Sequence, residues 1–199
     1  MGRPVLTEAC VAAFRRRACD AAIEIIAEGA QEVSFRQLGA AMGCSHATPY
    51  RYFKSKDELF MAVRAECFRR FAVFLEDRLA PIADPIERIH EISRGYADYA
   101  FDHTAEFRLM FQLGQPRPED ERSYQAGVDA WSIVQRNVQA AVDAGRLAGD
   151  PTDLAHMFWA SVHGVVSLEL SHRFTVGRDA GDLLRPMVDA LCRAHGAMS

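Results

Sequence analysis

Side chains suited to binding nucleic acid are concentrated in one short stretch of the sequence, between Ser34 and Lys56. Guanidinium, ammonium, imidazole and hydroxyl groups donate hydrogen bonds to phosphate oxygens and base edges, and small apolar groups contact thymine methyls. We predict that nine residues of this stretch contact double-stranded DNA: Ser34, Arg36, Ser45, His46, Ala47, Thr48, Tyr50, Arg51 and Lys56.

The first element needed to position them is a short helix followed by a tight turn. Ser34 and Gln37 have the spacing of a capping box, which predicts a helix beginning at Phe35. Gly39 is small where a crossing segment must approach closely, and Gly43 supplies the backbone freedom that ends a helix. A turn is therefore expected directly after Gly43.

A second short helix and the start of a long one are predicted next. Ser45 is a suitable N-cap, and Pro49 falls within the first turn of that helix. Ser55 and Glu58 form another capping box, which places Lys56 at a helix N-terminus, where phosphate binds favourably. Two helices joined by a tight turn indicate a helix-turn-helix, although such a corner also occurs in proteins that do not bind DNA.

Within this arrangement, the roles of the side chains are expected to differ. His46, Ala47 and Thr48 lie where they reach major-groove edges, whereas Tyr50 and Lys56 are predicted to hold phosphates.

This stretch resembles the N-terminal domain of the tetracycline-repressor-like (TetR) family of bacterial regulators. The matching residues are Gly39, Gly43, Cys44, Ser45, Thr48, Tyr50, Phe53, Ser55 and Lys56. Met42 and Pro49 depart from the commonest pattern, and Pro49 is expected to shift the first turn of the recognition helix. The resemblance implies a transcription regulator that binds a DNA operator.

Charge is distributed unevenly along the 199 residues. Residues 1–56 contain eight basic and five acidic residues (+3), whereas the remainder contains 15 basic and 22 acidic residues (−7). This asymmetry predicts a basic head on an acidic body. Basic contributions are expected from an arm at Arg3 and from Arg15, Arg16 and Arg17, which face either DNA phosphates or solvent.

Helical spacing of apolar residues through the rest of the chain predicts an all-α protein of about nine helices. We expect a DNA-binding three-helix domain at residues 1–55 and an effector-binding and dimerisation domain at residues 56–199. Predicted helices span about 7–28, 56–79, 106–113 and 120–145, and others begin at Asp84-Pro85, at Asp150-Pro151 and at Asp179 or Asp182, with Pro186 near the first turn of the last. The clearest loop is Gln115–Pro118, and no strand is predicted.

No apolar run approaches the roughly 20 residues of a membrane span, and no signal-peptide core is present at the N-terminus. We therefore predict a cytoplasmic protein without a membrane partner. The five cysteines are widely spread and form no zinc or dithiol pattern, so no metal or cofactor is expected.

Trp159, His163 and Gly164 resemble the Trp-His-Gly version of the family's C-terminal domain. The resemblance implies a homodimer formed by the last two helices, with an interface predicted at Val162, Val166, Leu170, Leu184, Val188 and Leu191. For His163 a core hydrogen bond is expected, and for Gly164 a close approach between helices.

The resemblance also implies an effector pocket in the C-terminal domain. Candidate lining residues are Phe71, Tyr96, Tyr99, His103, Phe107, Phe111, Trp131, Trp159 and His163. Each ring alone is more typical of a core than of a ligand site, but so many rings often leave a cavity with a few polar groups. Because few basic residues are among them, a small and mainly hydrophobic effector is expected.

These features together predict a homodimeric repressor that leaves a palindromic operator when the effector binds. Three other functions remain open for the sequence. An enzyme would need His103, His156, His163 or His172 as its chemical groups, but no nucleophile motif, phosphate loop or H-E-x-x-H pattern accompanies them, so no catalytic residue is predicted. An effector-independent DNA-binding protein would fill the aromatic region without a cavity. An activator would share every feature of a repressor.

Overall fold

The computed structural model describes residues 7–111 and 121–196. These residues form α1 (Glu8–Ala27), α2 (Phe35–Ala41), a 3₁₀ helix (Pro49–Arg51), α3 (Lys56–Leu79), α4 (Pro85–Asp102), α5 (Thr104–Phe111), α6 (Glu121–Asp143), α7 (Pro151–Leu170) and α8 (Ala180–Ala194). The predicted all-α class is confirmed, with eight α-helices in the described residues. The expected arm at Arg3 and the loop at Gln115–Pro118 lie outside those residues.

The predicted caps begin four of the helices. The Ser34 side chain accepts from the Gln37 amide, and the Gln37 side chain accepts from the Ser34 amide, so the capping box is complete. Asp84, Asp150 and Asp179 accept amide hydrogen bonds at the starts of α4, α7 and α8. Local sequence therefore determines where these helices begin.

Two helix details differ from the predictions. α5 begins at Thr104 rather than near Glu106, directly after His103, the non-helical residue that ends α4. Pro186 lies inside α8, beyond its first turn, where its missing N–H removes one helical hydrogen bond.

The chain divides into two compact units. The first unit comprises Met1–Phe68 and Thr104–Gly127, and the second comprises Arg69–His103 and Val128–Ser199. The division therefore falls within α3 and α6. The functional boundary predicted between residues 55 and 56 stays a prediction.

Each unit has its own buried apolar residues. In the first unit they include Ala18, Leu38, Phe53, Leu59 and Val63. In the second unit, α4 packs on α7 and α8, and their buried residues include Ile89, Ala100, Phe158, Val166 and Val188. Burial of this kind supplies most of the stabilising free energy of helical proteins.

One β interaction occurs in the described residues. Leu147 and Gly196 form an isolated antiparallel bridge, and the Ala148 amide donates to the His195 carbonyl over 2.7 Å. The bridge joins the segment between α6 and α7 to the residues that follow α8. No helix in the described part of the chain is long and apolar enough to span a membrane.

Candidate nucleic-acid interface and effector site

The turn after α2 is positioned by two glycines. A Cβ atom on Gly39 would lie 3.1 Å from both the Cys44 carbonyl oxygen and the His46 Cα, so any other residue would require this turn to shift by a few tenths of an ångström. Gly43 has a φ of +64°, a conformation that favours glycine. Both observations confirm the predicted backbone roles, and together they position His46 immediately after the turn.

The predicted recognition helix is wrong in its type and its start. Residues 46 and 47 form a turn, and only Pro49–Arg51 are helical, in a 3₁₀ helix. The Thr48 amide donates to the Ser45 carbonyl over 2.9 Å. Pro49 has no N–H with which to continue an α-helical pattern to the same carbonyl, which explains the tighter winding.

Ser45 consequently does not cap this element. Its hydroxyl lies 3.3 Å from the Thr48 hydroxyl, and the 3₁₀ helix has no side-chain cap. This contact restrains the direction of the half-buried Thr48 side chain.

Most of the predicted DNA-contacting residues are exposed on the first unit. The exposed members are Arg36, Ser45, His46, Ala47, Tyr50, Arg51 and Lys56, while Ser34 and Thr48 are half-buried. Tyr50 is 63% exposed, and its ring packs edge-on against Phe35 with centroids 4.4 Å apart. Its ring is therefore held in place while much of the side chain stays accessible.

Lys56 is the first residue of α3, as predicted. Its exposed ammonium lies 4.0 Å from the Glu32 carboxylate. The Ser55 hydroxyl accepts from the Glu58 amide over 3.1 Å, but the Glu58 carboxylate accepts from the Lys54 amide rather than that of Ser55. Only half of the second capping box therefore has the predicted partner, because the Glu58 carboxylate bonds the amide one residue before Ser55. α3 still starts at the predicted residue.

Arg15 braces the first unit from within. Its guanidinium donates to the Tyr52 carbonyl over 2.7 Å and to Glu58 over 2.8 Å, and it lies over the Phe53 ring at 4.5 Å. These contacts engage the side chain inside the protein, so the expectation that Arg15 faces phosphates or solvent is wrong. Its two arginine neighbours in sequence are exposed.

The Glu58 carboxylate depends on this brace. Burial raises the pKa of this carboxyl. Hydrogen bonds from the Lys54 amide and the Arg15 guanidinium lower the pKa by more than burial raises it, so the pKa lies below its ordinary value. The ionised form is the one that joins α1 to the start of α3.

In the second unit, a hydrogen-bonded set of rings lies between α4 and α7. The Tyr96 hydroxyl is 2.7 Å from His163 Nδ1, and it also accepts from the Trp159 indole N–H. Burial raises the pKa of Tyr96 and lowers the pKa of His163. The proton between Tyr96 and His163 belongs to the Tyr96 hydroxyl or to Nδ1 of a neutral His163, according to the tautomer of the imidazole. The core hydrogen bond predicted for His163 is confirmed.

Seven of the nine predicted pocket residues belong to the second unit. Tyr99 contacts Phe71 and His103 with centroids 5.1 and 4.6 Å apart, and Trp131 meets Trp159 at 5.8 Å. The remaining two are on α5 in the first unit. There, Phe107 and Phe111 pack on each other at 5.0 Å, and Phe107 is buried. The predicted pocket residues are therefore divided seven to two between the two units.

Two cavities of the second unit bear on effector binding. One has a volume of about 20 Å³ and includes Tyr96 and Trp159 in its lining, which is room for no more than a water molecule. The other is a groove of about 240 Å³ between α4 and α8. Its lining includes Phe101, Leu184 and Val188. Two residues predicted for the dimer interface thus line a groove of their own chain.

The other predicted interface residues differ in exposure. Val162 and Val166, like Val188, are buried within one chain, so they have no surface to offer a partner. Leu170, Leu184 and Leu191 are half-buried. No atom of another helix lies within 4 Å of the position that a Cβ on Gly164 would take, so the close helix approach expected there is absent among the described residues of this chain.

Among the residues that the structure describes, no group of three or more His, Cys, Asp or Glu side chains could hold a metal ion. His156 Nδ1 hydrogen-bonds the Thr152 carbonyl, and the His156 ring packs on Trp131. These two contacts give His156 a structural role on α7.

Two family models match this chain. The model described as "Tetracyclin repressor-like, C-terminal domain" matches residues 89–191, and the model described as "Bacterial regulatory proteins, tetR family" matches residues 19–63. This chain belongs to the TetR family. It is a DNA-binding transcriptional regulator, and because the family is non-enzymatic, the prediction that it is not an enzyme is confirmed.

Solved structures share the fold of this TetR regulator. A protein of unknown function from Rhodococcus sp. RHA1 has a TM-score of 0.81 and 23% identity, covering 92% of this chain and 95% of that one. A putative TetR-family regulator from Vibrio parahaemolyticus has a TM-score of 0.72 and 21% identity, covering 92% and 99%. The regulator FadR from Bacillus subtilis, solved in complex with stearoyl-CoA, has a TM-score of 0.73 and 18% identity, covering 89% and 97%. The comparison with curated proteins finds no match.

Two arginines that support the first unit of this TetR protein carry little signal in the sequence. Arg15 and Glu58 are far apart along the chain, so no local pattern predicts their pairing. Arg64 is 3% exposed and donates to the Met110 carbonyl, which ties α3 to α5. The position of Arg64 beside the apolar residues Val63 and Cys67 is the only local indication of a buried role.

Proposed function

We propose that this TetR-family protein is a homodimeric repressor that leaves a palindromic operator when a small, mainly hydrophobic effector binds. The observation that carries the DNA-reading part is the exposed turn at His46 and Ala47, held against α2 by Gly39. A pre-positioned, exposed turn suits the reading of base edges because little backbone ordering is needed on binding. Residues 1–55 serve as the DNA-binding part and residues 56–199 as the effector and dimer part.

Base reading and phosphate holding are divided between neighbouring residues. His46, Ala47 and Thr48 read bases, supported by Ser45, while Tyr50 and Lys56 hold phosphates. Arg36 and Arg51 are exposed and add positive charge, and Ser34 orients the start of α2. Phosphate contacts position the protein without selecting a sequence.

The exposed face of α7 supports the proposed homodimer. Met157, Ala160, Gly164 and Leu168 recur at helical spacing; Met157 is 39% and Leu168 45% exposed. A glycine inside a helix costs about 1 kcal/mol relative to alanine, and Gly164 has no close neighbour within the chain that would require it. A second copy of the chain that packs closely against Gly164 would explain why this residue is glycine. The half-buried Leu170, Leu184 and Leu191 extend the apolar surface.

The effector site is proposed among the rings of the second unit, around Tyr96, Trp159 and His163. Trp159, His163 and Gly164 are the motif residues of the Trp-His-Gly type of C-terminal domain, and we assign this domain to that type. An effector enlarges the cavity of about 20 Å³ by moving α4 from α7. The FadR structure is in complex with stearoyl-CoA, whose long acyl chain supports a ligand with a hydrocarbon part for this fold. α3 contributes residues to both units and is the proposed route of the signal.

The DNA part is tested by selecting bound sequences from a random pool with the full chain. We expect a palindrome, because two recognition elements related by a two-fold axis read two half-sites. A variant in which His46 and Thr48 are swapped should select different bases. The control substitution Glu24→Gln, at an exposed residue of α1, should leave the selected bases unchanged. An unchanged motif in the exchanged variant places base reading elsewhere.

The dimer is tested by sedimentation of Gly164→Trp. A Cβ at this position meets no other segment of the chain, whereas a tryptophan ring there would block a close partner, so the variant should sediment as a monomer. A monomer loses the linked half-site and roughly a hundredfold in operator affinity. Ala140→Trp, at an exposed small residue of α6, is the control and should remain dimeric. A dimeric Gly164→Trp protein would place the interface on another face.

The effector part is tested by titrating the selected operator with decanol, decanoate and stearoyl-CoA as probes. At least one apolar probe should lower operator affinity, and Trp159→Ala should abolish that response while Tyr124→Ala, at an exposed ring, retains it. Retention of the response by Trp159→Ala argues against this site. An increase in transcription when this protein occupies the operator would identify an activator instead.

A further inference from the structure

A second cavity lies within the first unit, away from the rings proposed to hold the effector. Its volume is about 330 Å³, and its lining residues come from α1, the segment before α2, the start of α3, and α5. This volume is within the range of small-molecule sites, which are mostly apolar with a few polar groups.

The inner wall of this cavity is apolar and already excluded from solvent. Ala22, Ile26, Leu59, Val63 and Leu109 line it, and each is at most 4% exposed. The hydrocarbon part of a ligand placed against this wall is removed from water, and the wall contains no charged group that would be desolvated with it. The cavity therefore favours a compact apolar group.

The rim carries more negative than positive charge. Glu32 and Asp57 are carboxylates, Lys56 is the single cation of the lining, and all three are exposed. Lys56 already lies 4.0 Å from Glu32, while in the described residues no ion pair within 4.0 Å engages Asp57. An ammonium group is attracted to this rim, whereas a carboxylate meets two like charges.

We propose that this cavity binds a compact apolar amine, with its hydrocarbon body against Leu59 and Val63 and its ammonium between Glu32 and Asp57. The bound ammonium pairs with Glu32 and releases Lys56 toward DNA phosphate, so the ligand raises DNA affinity. This second step rests on the proposed phosphate role of Lys56. The amine therefore acts as a co-ligand of the DNA-bound form, opposite in direction to the effector of the second unit.

Methyl NMR of the full chain tests the site without DNA. The probes are 2-phenylethylamine, 2-phenylethanol and phenylacetate, which share a ring and differ in charge. We expect the amine to shift the methyl signals of Leu59, Val63 and Leu109, the alcohol to bind about fivefold more weakly, and phenylacetate to bind least. Phenylacetate binding as tightly as the amine, or shifts confined to the second unit, overturns the proposal.

Variants at the exposed rim test the assignment without disturbing the core. Glu32→Gln combined with Asp57→Asn should weaken the amine about fivefold and leave the alcohol unchanged, whereas Glu24→Gln should alter neither. Equal amine binding by the double variant and the wild type overturns the role of the rim.

DNA titration then tests the regulatory step separately. Saturating 2-phenylethylamine should raise affinity for the selected operator about two- to fivefold in the wild type, and not in Lys56→Ala. Methyl shifts without any change in DNA affinity overturn the release of Lys56, while failure to select an operator bears on the proposed function alone.

Discussion

The two units hold their functional side chains by different means. In the first unit, exposed residues are positioned by short-range contacts, such as Ser34 with Gln37 and Ser55 with Glu58, each three residues apart. In the second unit, Tyr96 and His163 are 67 residues apart and meet in a part-buried hydrogen bond.

This difference matches what each region is proposed to do. A DNA-reading surface benefits from a backbone that is fixed before binding, since ordering on binding lowers affinity. An effector site instead needs two packings of similar free energy that a ligand can distinguish. Contacts between distant segments can be exchanged as helices shift, whereas a cap is retained as long as its helix exists.

The largest expected effect is loss of the long-range brace in the first unit. Arg15→Met should lower the free energy of unfolding by about 2–3 kcal/mol, because it removes charge-assisted hydrogen bonds to Glu58 and to the Tyr52 carbonyl. Urea denaturation measures the effect, and Arg16→Met, at an exposed neighbour, is the control. Equal stability of the two variants would show that local caps alone maintain the first unit.

A smaller loss is expected from the ring network of the second unit. Tyr96→Phe removes the hydroxyl that hydrogen-bonds His163 and accepts from Trp159, which should lower the free energy of unfolding by about 1–2 kcal/mol. Tyr124→Phe, at a ring 62% exposed, should change stability negligibly. If both variants unfold at the same urea concentration as the wild type, the network contributes specificity rather than stability.

The same network predicts a pH dependence of stability. The folded-state pKa of His163 is below 6.5, so the unfolded chain binds a proton first as pH falls. Its contribution to stability is complete above pH 6.5 and is lost as pH falls from there to the folded-state pKa. His163→Gln should therefore show a shallower decrease in melting temperature between pH 7.5 and pH 5 than the wild type. Parallel decreases would assign the pH dependence to other groups.

The smallest effect on stability, but a clear one on DNA, is expected at the exposed surface of the first unit. Lys56→Ala should reduce the slope of log K against log salt by about 0.9 for each phosphate that the side chain neutralises, and should weaken binding to all DNA sequences alike. Fluorescence anisotropy at several salt concentrations measures this slope. Arg173→Ala, an exposed charge of the second unit, is the control. An unchanged slope in Lys56→Ala would show that this residue does not bind phosphate.

The same contrast explains what could be predicted from the sequence. α3 begins at Lys56 and ends at Leu79, as predicted, because caps and apolar spacing act within one turn. Serine is a preferred N-cap residue, so Ser45 favours an α-helix for the recognition element. The missing N–H of Pro49 instead favours a 3₁₀ turn. Pro49 departs visibly from the family pattern, and its consequence is larger than the shifted first turn that the sequence predicts.

The effector site is less accessible to sequence reasoning. Aromatic residues at helical spacing indicate burial, but not which helices bring them together, so the sequence alone does not separate Phe107 and Phe111 from the rings of the other unit. The hydrogen bond between Tyr96 and His163 depends on the packing of α4 on α7, which no local pattern specifies. Burial of Val162 and Val166 within one chain depends on the same packing.

The bridge between Leu147 and Gly196 has a consequence for local unfolding. Because the Ala148 amide is bonded to the His195 carbonyl, its hydrogen exchange requires the end of α8 to separate from the segment after α6. The exchange rate of this one amide therefore reports how often the last turn of α8 opens. If dimerisation stabilises α8, exchange at Ala148 should slow as protein concentration rises, without any probe attached to the protein.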